Sequence, residues 1–338
     1  MAKFEASPSL ASNADKPPHK PLTVGLLGFG EVGRVLAEDL RAGVIAADFA
    51  NSPDVPVVGA LALLAYDSQF SDPQSKPSRA AAELGLNKAS DPLELAAAAD
   101  VILCAVTAAN DQLAAQSVVS IASAIRDTWY LDLNSASPEM KKTASKLIDS
   151  AGGRYIEAAV MSPIEPKRMH CPILLGGTQA DQFLPIGQAL GFSGMQVFAD
   201  RVGPASATKM CRSVIVKGME ALLTESLLSA RHYGVETHVL ASLTDLFPLE
   251  NWDKLARYMI SRSIEHGVRR AEEMQEVTRT VREAGIEPLM SAACVRRQQW
   301  APNYQSALGE SELFAMLDVM LDGNRKERGP RLHEMKLG

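Results

Sequence analysis

A chain of 338 residues, 46% of them apolar, is long enough to bury two separate cores. Its 34 basic and 40 acidic side chains leave a net charge of −6, which gives no global attraction to nucleic acid or to an anionic membrane surface. Cys104, Cys171, Cys211 and Cys294 never form a C-x-x-C pair, and the six histidines lack metal-ligand spacing, so neither a disulfide framework nor a metal site is expected.

In chain order, residues 1–21 carry no apolar signal-peptide core and read as a disordered leader. No stretch of about 18 uncharged apolar residues follows, and the four scattered cysteines read as the reduced thiols of a cytoplasmic protein. Leu22 to Gly28 (LTVGLLG) is a short apolar run ending in glycine, the pattern of a buried parallel strand. Glu31 to Ala42 then places Val32, Val35, Leu36 and Leu40 at helical spacing, with Gly43 just past the end. Further alternation follows: strands over Val55–Tyr66, Asp100–Val106, Trp129–Leu133, Tyr155–Val160 and Pro172–Leu175, and helices over Arg79–Leu84, Asn110–Ile125 and from Pro138 to Gly152. This order predicts an α/β Rossmann-like, doubly wound parallel sheet over residues 22–200.

From Gly203 turn residues become sparse and helical periodicity dominates. Helices are expected over Pro204–Tyr233, Trp252–Glu283 and Ser311–Leu321, forming an all-α substrate and dimerisation domain over residues 201–323, with a basic tail from 324 to 338. The first of these helices is longer than one Rossmann-like domain can cover, which predicts a homodimer.

The turn Gly28-Phe29-Gly30-Glu31-Val32-Gly33 joins the first strand to the first helix, the context in which G-x-G-x-x-G binds a dinucleotide. The first glycine permits the tight turn, the second lets a pyrophosphate approach the backbone, and the third allows close helix–strand packing. The free N–H groups of the helix start then face the phosphates. Asp67 closes the second strand where an acid would bind the adenosine ribose; it would repel a 2′-phosphate and so favours NAD, whereas Lys76 and Arg79 nearby could serve NADP. Val106 and Thr107, at the end of the Asp100–Val106 strand, complete the expected cofactor site.

The order of motifs resembles the β-hydroxyacid dehydrogenase superfamily, which includes 3-hydroxyisobutyrate and 6-phosphogluconate dehydrogenases, over Leu22 to about Ala293. In that family the glycine turn is followed by a D-x-S/T segment, a D-A-P-V-S-G-G substrate loop and a G-x-x-x-x-x-K-x-x-x-N helix. Here the counterparts are Asp132-Leu133-Asn134-Ser135, Glu157-Ala158-Ala159-Val160-Met161-Ser162-Pro163, and Gly203 to Lys209 followed by Ser213. The resemblance implies Lys209 as general acid and base, with Ser135, Met161, Ser162 and Ser213 around the substrate. Two departures stand out. Pro163 removes one N–H donor from the loop that grips a substrate carboxylate, and Ser213 replaces an asparagine while keeping a hydroxyl one helical turn beyond Lys209. A second family lysine should fall at Glu272-Glu273, where only the acid is kept; Arg269 and Arg270 are the candidates to replace it. The segment from His266 to Ala293, with Lys217-Gly218, resembles a branch with its own divergent carboxy-terminal domain.

Taken without the resemblance, Lys209 is a cation near the start of a helix, where the dipole disfavours it, on a crowded apolar face. Burial and that dipole would lower its pKa toward a range useful for proton transfer. The expected function is NAD(P)-dependent oxidation of the alcohol of a small hydroxy acid or polyol-type substrate. A 3-hydroxy acid would give a β-keto acid able to lose carbon dioxide. The alternatives are imine reduction on the same scaffold, against which the retained Lys209 argues, and a dinucleotide-sensing protein without turnover. No G-x-S-x-G frame supports a hydrolase.

Overall fold

A computed structural model describes residues 22–43, 61–121, 124–246, 248 and 251–328. The expected leader, the Val44–Asp54 insertion, residues 55–60 of the second expected strand and the last ten residues lie outside this set.

Eight strands form one sheet: β1 (Leu22–Leu27), β2 (Leu61–Tyr66), β3 (Asn87–Lys88), β4 (Val101–Cys104), β5 (Trp129–Asp132), β6 (Arg154–Val160), β7 (Ile173–Gly176) and β8 (Met195–Ala199). Their spatial order is β3-β2-β1-β4-β5-β6-β7-β8. Pairing is parallel throughout except between β6 and β7, so the last two strands run against the first six. The chain reverses at β1, with β2 on one side and β4 on the other, which creates the crevice where dinucleotides bind in doubly wound sheets.

The strands alternate their side chains between two buried layers. Val101, Leu103, Leu131 and Ile156 face one layer with Val35 and Leu36 of α1 (Glu31–Arg41), Ala80 and Ala81 of α2 (Lys76–Glu83) and Phe183 of α6 (Ala180–Ala189). Ile102, Cys104, Tyr130 and Tyr155 face the other, against α3 (Pro92–Ala98), α4 (Asp111–Val119) and α5 (Pro138–Ser150). Helices therefore cover both faces, as the alternating sequence predicts.

The sequence pattern did not announce β3, α3, α6 or β8. α3 has only two large apolar residues in an alanine-rich stretch, and it starts because the Asp91 carboxylate accepts from Leu93 N and Glu94 N, both at 2.8 Å. α4 stops at Val119, short of the expected Ile125.

The second half is helical: α7 (Pro204–Tyr233), α8 (Glu236–Leu246), α9 (Trp252–Glu283), α10 (Leu289–Trp300) and α11 (Leu313–Arg328). α7 and α9 match their expected spans, and α7 ends at Gly234 in the left-handed region. α11 extends to Arg328, into the stretch expected as a tail. A separate core, including Leu227, Trp252, Ile260, Ile264, Tyr304 and Met316, holds these helices together.

Candidate active site between the sheet and the long helix

The glycine turn has the geometry a dinucleotide needs. Gly28 sits at φ +93°, where a side chain would strain the backbone and strike Ala105. A Cβ on Gly33 would collide with the Gly28 carbonyl oxygen, so the third glycine is required by packing alone. Around Gly30, by contrast, a Cβ would meet nothing within 4 Å, which leaves the backbone at the start of α1 open to a ligand. Asp67 caps the segment after β2 and accepts from Phe29 N at 2.7 Å and Gln69 N at 2.9 Å. The carboxylate is thus fixed against the glycine turn.

Asn134, which the sequence reading quoted only as part of a motif, ties two loops together. Its Oδ1 accepts from Val106 N at 2.7 Å, and its Nδ2 donates to Asp111 Oδ1 at 2.6 Å. Val106 and Thr107 are therefore positioned by the segment that carries Ser135. Beneath that segment lies a buried ion pair, Lys141 Nζ to Asp132 Oδ1 at 2.5 Å, with Tyr155 Oη donating to Asp132 Oδ2 at 2.6 Å. Removing either charge would strand the other in the core, so this pair immobilises the end of β5. Burial and then the Asp132 charge push the neighbouring Asp111 carboxyl up to about 7.

Lys209 reaches this segment from α7. The amino end of that helix is held by the buried Glu157 of β6, whose Oε2 accepts from Gly203 N at 2.8 Å and Oε1 from Ser206 N at 2.7 Å. A carboxylate at a helix start is favoured by the dipole and satisfies two otherwise orphaned donors. Lys209 stands one turn further on, and its Nζ donates to Ser135 Oγ at 2.7 Å. Burial draws its ammonium down to about 8; Glu273 opposes the shift, and Lys217, Lys141 and Arg269 add to it.

The second basic position is resolved differently from expectation. Lys217, two turns beyond Lys209 on α7, pairs with Glu273 of α9 at 2.7 Å. Arg269 lies 3.6 Å from Glu31 and Arg270 is bonded to Glu220, so neither arginine forms the ion pair with Glu273, although Arg269 adds to the positive field on it. That partner comes from the neighbouring helix, outside the local Glu272-Glu273 context. The i, i+4, i+8 spacing of Lys209, Ser213 and Lys217 was the available signal, since it places all three along one side of α7. Ser213 Oγ is buried and lies 3.5 Å from Lys217 Nζ. Burial alone would raise Glu273, but Lys217, Lys209 and Arg269 outweigh it and hold it near 2.

These groups share one cavity of about 320 Å³, bordered by Glu31 and Val32 of the glycine turn, by Ser135, by Val160 to Ile164, and by Lys209, Ser213, Lys217 and Glu273. Met161, Ser162 and Pro163 are at its wall as the motif order implied. Ser162 Oγ is turned to Pro163 O at 3.1 Å and Cys171 Sγ at 3.3 Å. The arrangement places a buried amine with a lowered pKa, a hydroxyl bonded to it and the open glycine turn around a space for a small molecule.

Comparison with known proteins follows the same lines. Residues 230–301 match a domain of unknown function, DUF1932. A conserved hypothetical protein from Sinorhizobium meliloti 1021 is 30% identical, with 90% of this chain and 97% of that one covered and a TM-score of 0.64. A conserved protein of unknown function, described as structurally similar to 3-hydroxyacid dehydrogenases, is 27% identical over 89% of this chain and 99% of its own, with a TM-score of 0.62. At 14% identity the fold is shared with 3-hydroxyisobutyrate dehydrogenase of Mycobacterium tuberculosis (89% and 99% covered, TM-score 0.62). At 15% it is shared with a Myxococcus stipitatus imine reductase in complex with NADP+ (88% and 98%, TM-score 0.50). No helix among the described residues is long and apolar enough to cross a membrane. The chain therefore belongs to one family with the Sinorhizobium meliloti conserved hypothetical protein, carries the DUF1932 domain in its helical half, and has the fold of the 3-hydroxyacid dehydrogenases.

Proposed function

We propose that the protein is a nicotinamide-dependent dehydrogenase that oxidises the alcohol of a small hydroxy acid, with Lys209 as the general acid and base. The observation that carries this reading is the 2.7 Å contact between Lys209 Nζ and Ser135 Oγ inside a cavity that also borders the glycine turn. A nicotinamide dinucleotide, when bound, supplies the hydride acceptor. Lys209 as the neutral amine takes the proton of the substrate hydroxyl, while Ser135 and Ser213 hold the reacting oxygen. Lys217 and Glu273, paired at 2.7 Å, act on Lys209 in opposite directions. In the reverse direction Lys209 returns the proton. Such acid–base help contributes roughly 10²–10⁴-fold.

A dinucleotide fits the residues present, since Gly30 leaves open space and Asp67 fixes the turn behind it. Asp67 supports NAD over NADP, because a carboxylate at that position repels a 2′-phosphate. The retained lysine favours alcohol oxidation over imine reduction, and a proton-transferring group at the mouth of the cofactor site favours an enzyme over a sensor. We further propose a homodimer formed through the helical half.

The test is Lys209→Met. Turnover with a hydroxy acid is expected to fall at least about 10²-fold while the protein remains folded and NADH binds within about twofold, with NADH tighter than NADPH in both proteins. Undiminished turnover in the folded variant would remove Lys209 from the reaction.

A further inference from the structure

The carboxylates of the cavity are already spoken for. Its wall carries Lys209, Arg212, Lys217, Arg262, Arg269 and Arg270 against Glu31, Glu220 and Glu273. Glu273 is taken by Lys217, Glu220 by Arg270 and by Gln298 at 3.1 Å, and Glu31 faces Arg269. Once Lys209 is assigned to the hydroxyl, two guanidiniums remain. Arg212, exposed at the rim and one turn along α7 from Lys209, has no hydrogen bond or ion pair among the described residues. Arg262 of α9 pairs with Glu265 through Nη1 at 3.3 Å, but its Nε is buried without a hydrogen-bond partner. A buried donor left unpaired is costly, and a guanidinium presents it in a fork suited to carboxylate or phosphate.

The usual anion grip is meanwhile weakened, because Pro163 has no N–H to offer and the Ser162 hydroxyl donates within the protein. A cavity of about 320 Å³ is also at the small end of ligand sites, which run from roughly 300 Å³ upward, and both arginines stand on its wall.

We infer that the substrate is a compact hydroxy acid carrying two anionic groups, held by Arg212 and Arg262. This rests on the proposed dehydrogenase reading. Two carboxylates, or a carboxylate and a phosphate monoester, share the chemistry that a free guanidinium and one with an unpaired buried Nε recognise.

The experiment is calorimetric titration of the full-length protein, saturated with NADH at constant ionic strength, with malonate, phosphoglycolate and propionate. At least one of the two probes with two anionic groups, malonate or phosphoglycolate, is expected to bind at least tenfold tighter than propionate, and the preferred one identifies the second anionic group. Arg212→Gln and Arg262→Gln are each expected to weaken that probe roughly 10- to 100-fold and to reduce its preference over propionate at least tenfold, with Arg262→Lys recovering part of the loss. Arg212 is exposed, so its variant keeps the test valid if an Arg262 substitution disturbs folding. Equal binding of all three probes, no binding of malonate or phosphoglycolate, or an unchanged preference in the variants overturns the proposal. The same titrations on Lys209→Met separate it from the reading it rests on. Malonate or phosphoglycolate binding that survives there, with no turnover by the native protein of any hydroxy acid bearing a second anionic group, keeps the anion site and discards the dehydrogenase. Turnover of hydroxy acids without binding of either probe does the reverse.

Discussion

At the level of single residues, Lys209 gives the sharpest expectation because its ammonium titrates near 8 rather than 10.5. Oxidation needs the neutral amine, so kcat/KM for the alcohol should rise as pH passes through about 8 and level off above it. Reduction needs the ammonium and should decline over the same interval. Initial rates from pH 6.5 to 9.5 measure both, and a flat profile in each direction would exclude Lys209 as the titrating group. The same shift carries a stability consequence. Between about 8 and 10.5 the unfolded chain binds the proton that the folded one has released, so stability rises with pH across that window. The glycine turn allows a second test at this scale. Gly33→Ala drives a Cβ into the Gly28 carbonyl and should lower the urea midpoint markedly, whereas Gly30→Ala enters open space, leaving the midpoint nearly unchanged while weakening NADH. Equal loss of stability in the two would contradict separate packing and ligand roles.

Among the elements, α7 matters most, and its position depends on one buried side chain of the sheet. Glu157 accepts two backbone N–H groups at its start, and the space for that carboxylate exists because residue 176 is glycine, where a Cβ would collide with Glu157 Oε2. Replacing Glu157 with alanine leaves both donors buried and unpaired, a loss of about 3 kcal/mol. Glutamine, with one strong acceptor oxygen, should lose less. Urea denaturation reads the difference, and turnover should fall with it because Lys209 is carried one turn into the same helix. A Glu157→Ala protein as stable as the native one would show that α7 is held by its apolar face alone. Glu157 was visible in the sequence only as the first residue of a substrate-loop motif. Its capping role depends on β6 and α7 meeting 46 residues apart, a contact that no local periodicity encodes.

For the whole molecule, α7 is about 45 Å long and leaves part of its surface uncovered. Ile215 and Leu222, seven residues apart and so on one side, are 66% and 57% exposed, and Tyr233 at the helix end is 76% exposed. Beside them lies a groove of about 1170 Å³ whose wall includes Leu222, Tyr233, Met290 and Trp300. An apolar surface of this extent is the kind a second copy covers, and two-fold self-association is the commonest means. Sedimentation at micromolar concentration is expected to give a dimer, with Leu222→Glu shifting it toward monomer; a native monomer under those conditions would rule this out. The sequence alone determined the strand–turn–helix that opens the fold, the change to helical structure after residue 200, and the spans of α7 and α9. Each of these is written in periodicities or spacings shorter than one element. Only the tertiary structure decided that Lys217 meets Glu273, that Arg269 and Arg270 are engaged elsewhere, that Glu157 caps α7 and that Asn134 joins two loops. Those contacts join segments from 28 residues to more than two hundred residues apart, and ion pairs and hydrogen bonds across such distances form where packing brings the backbone, not where the local pattern points.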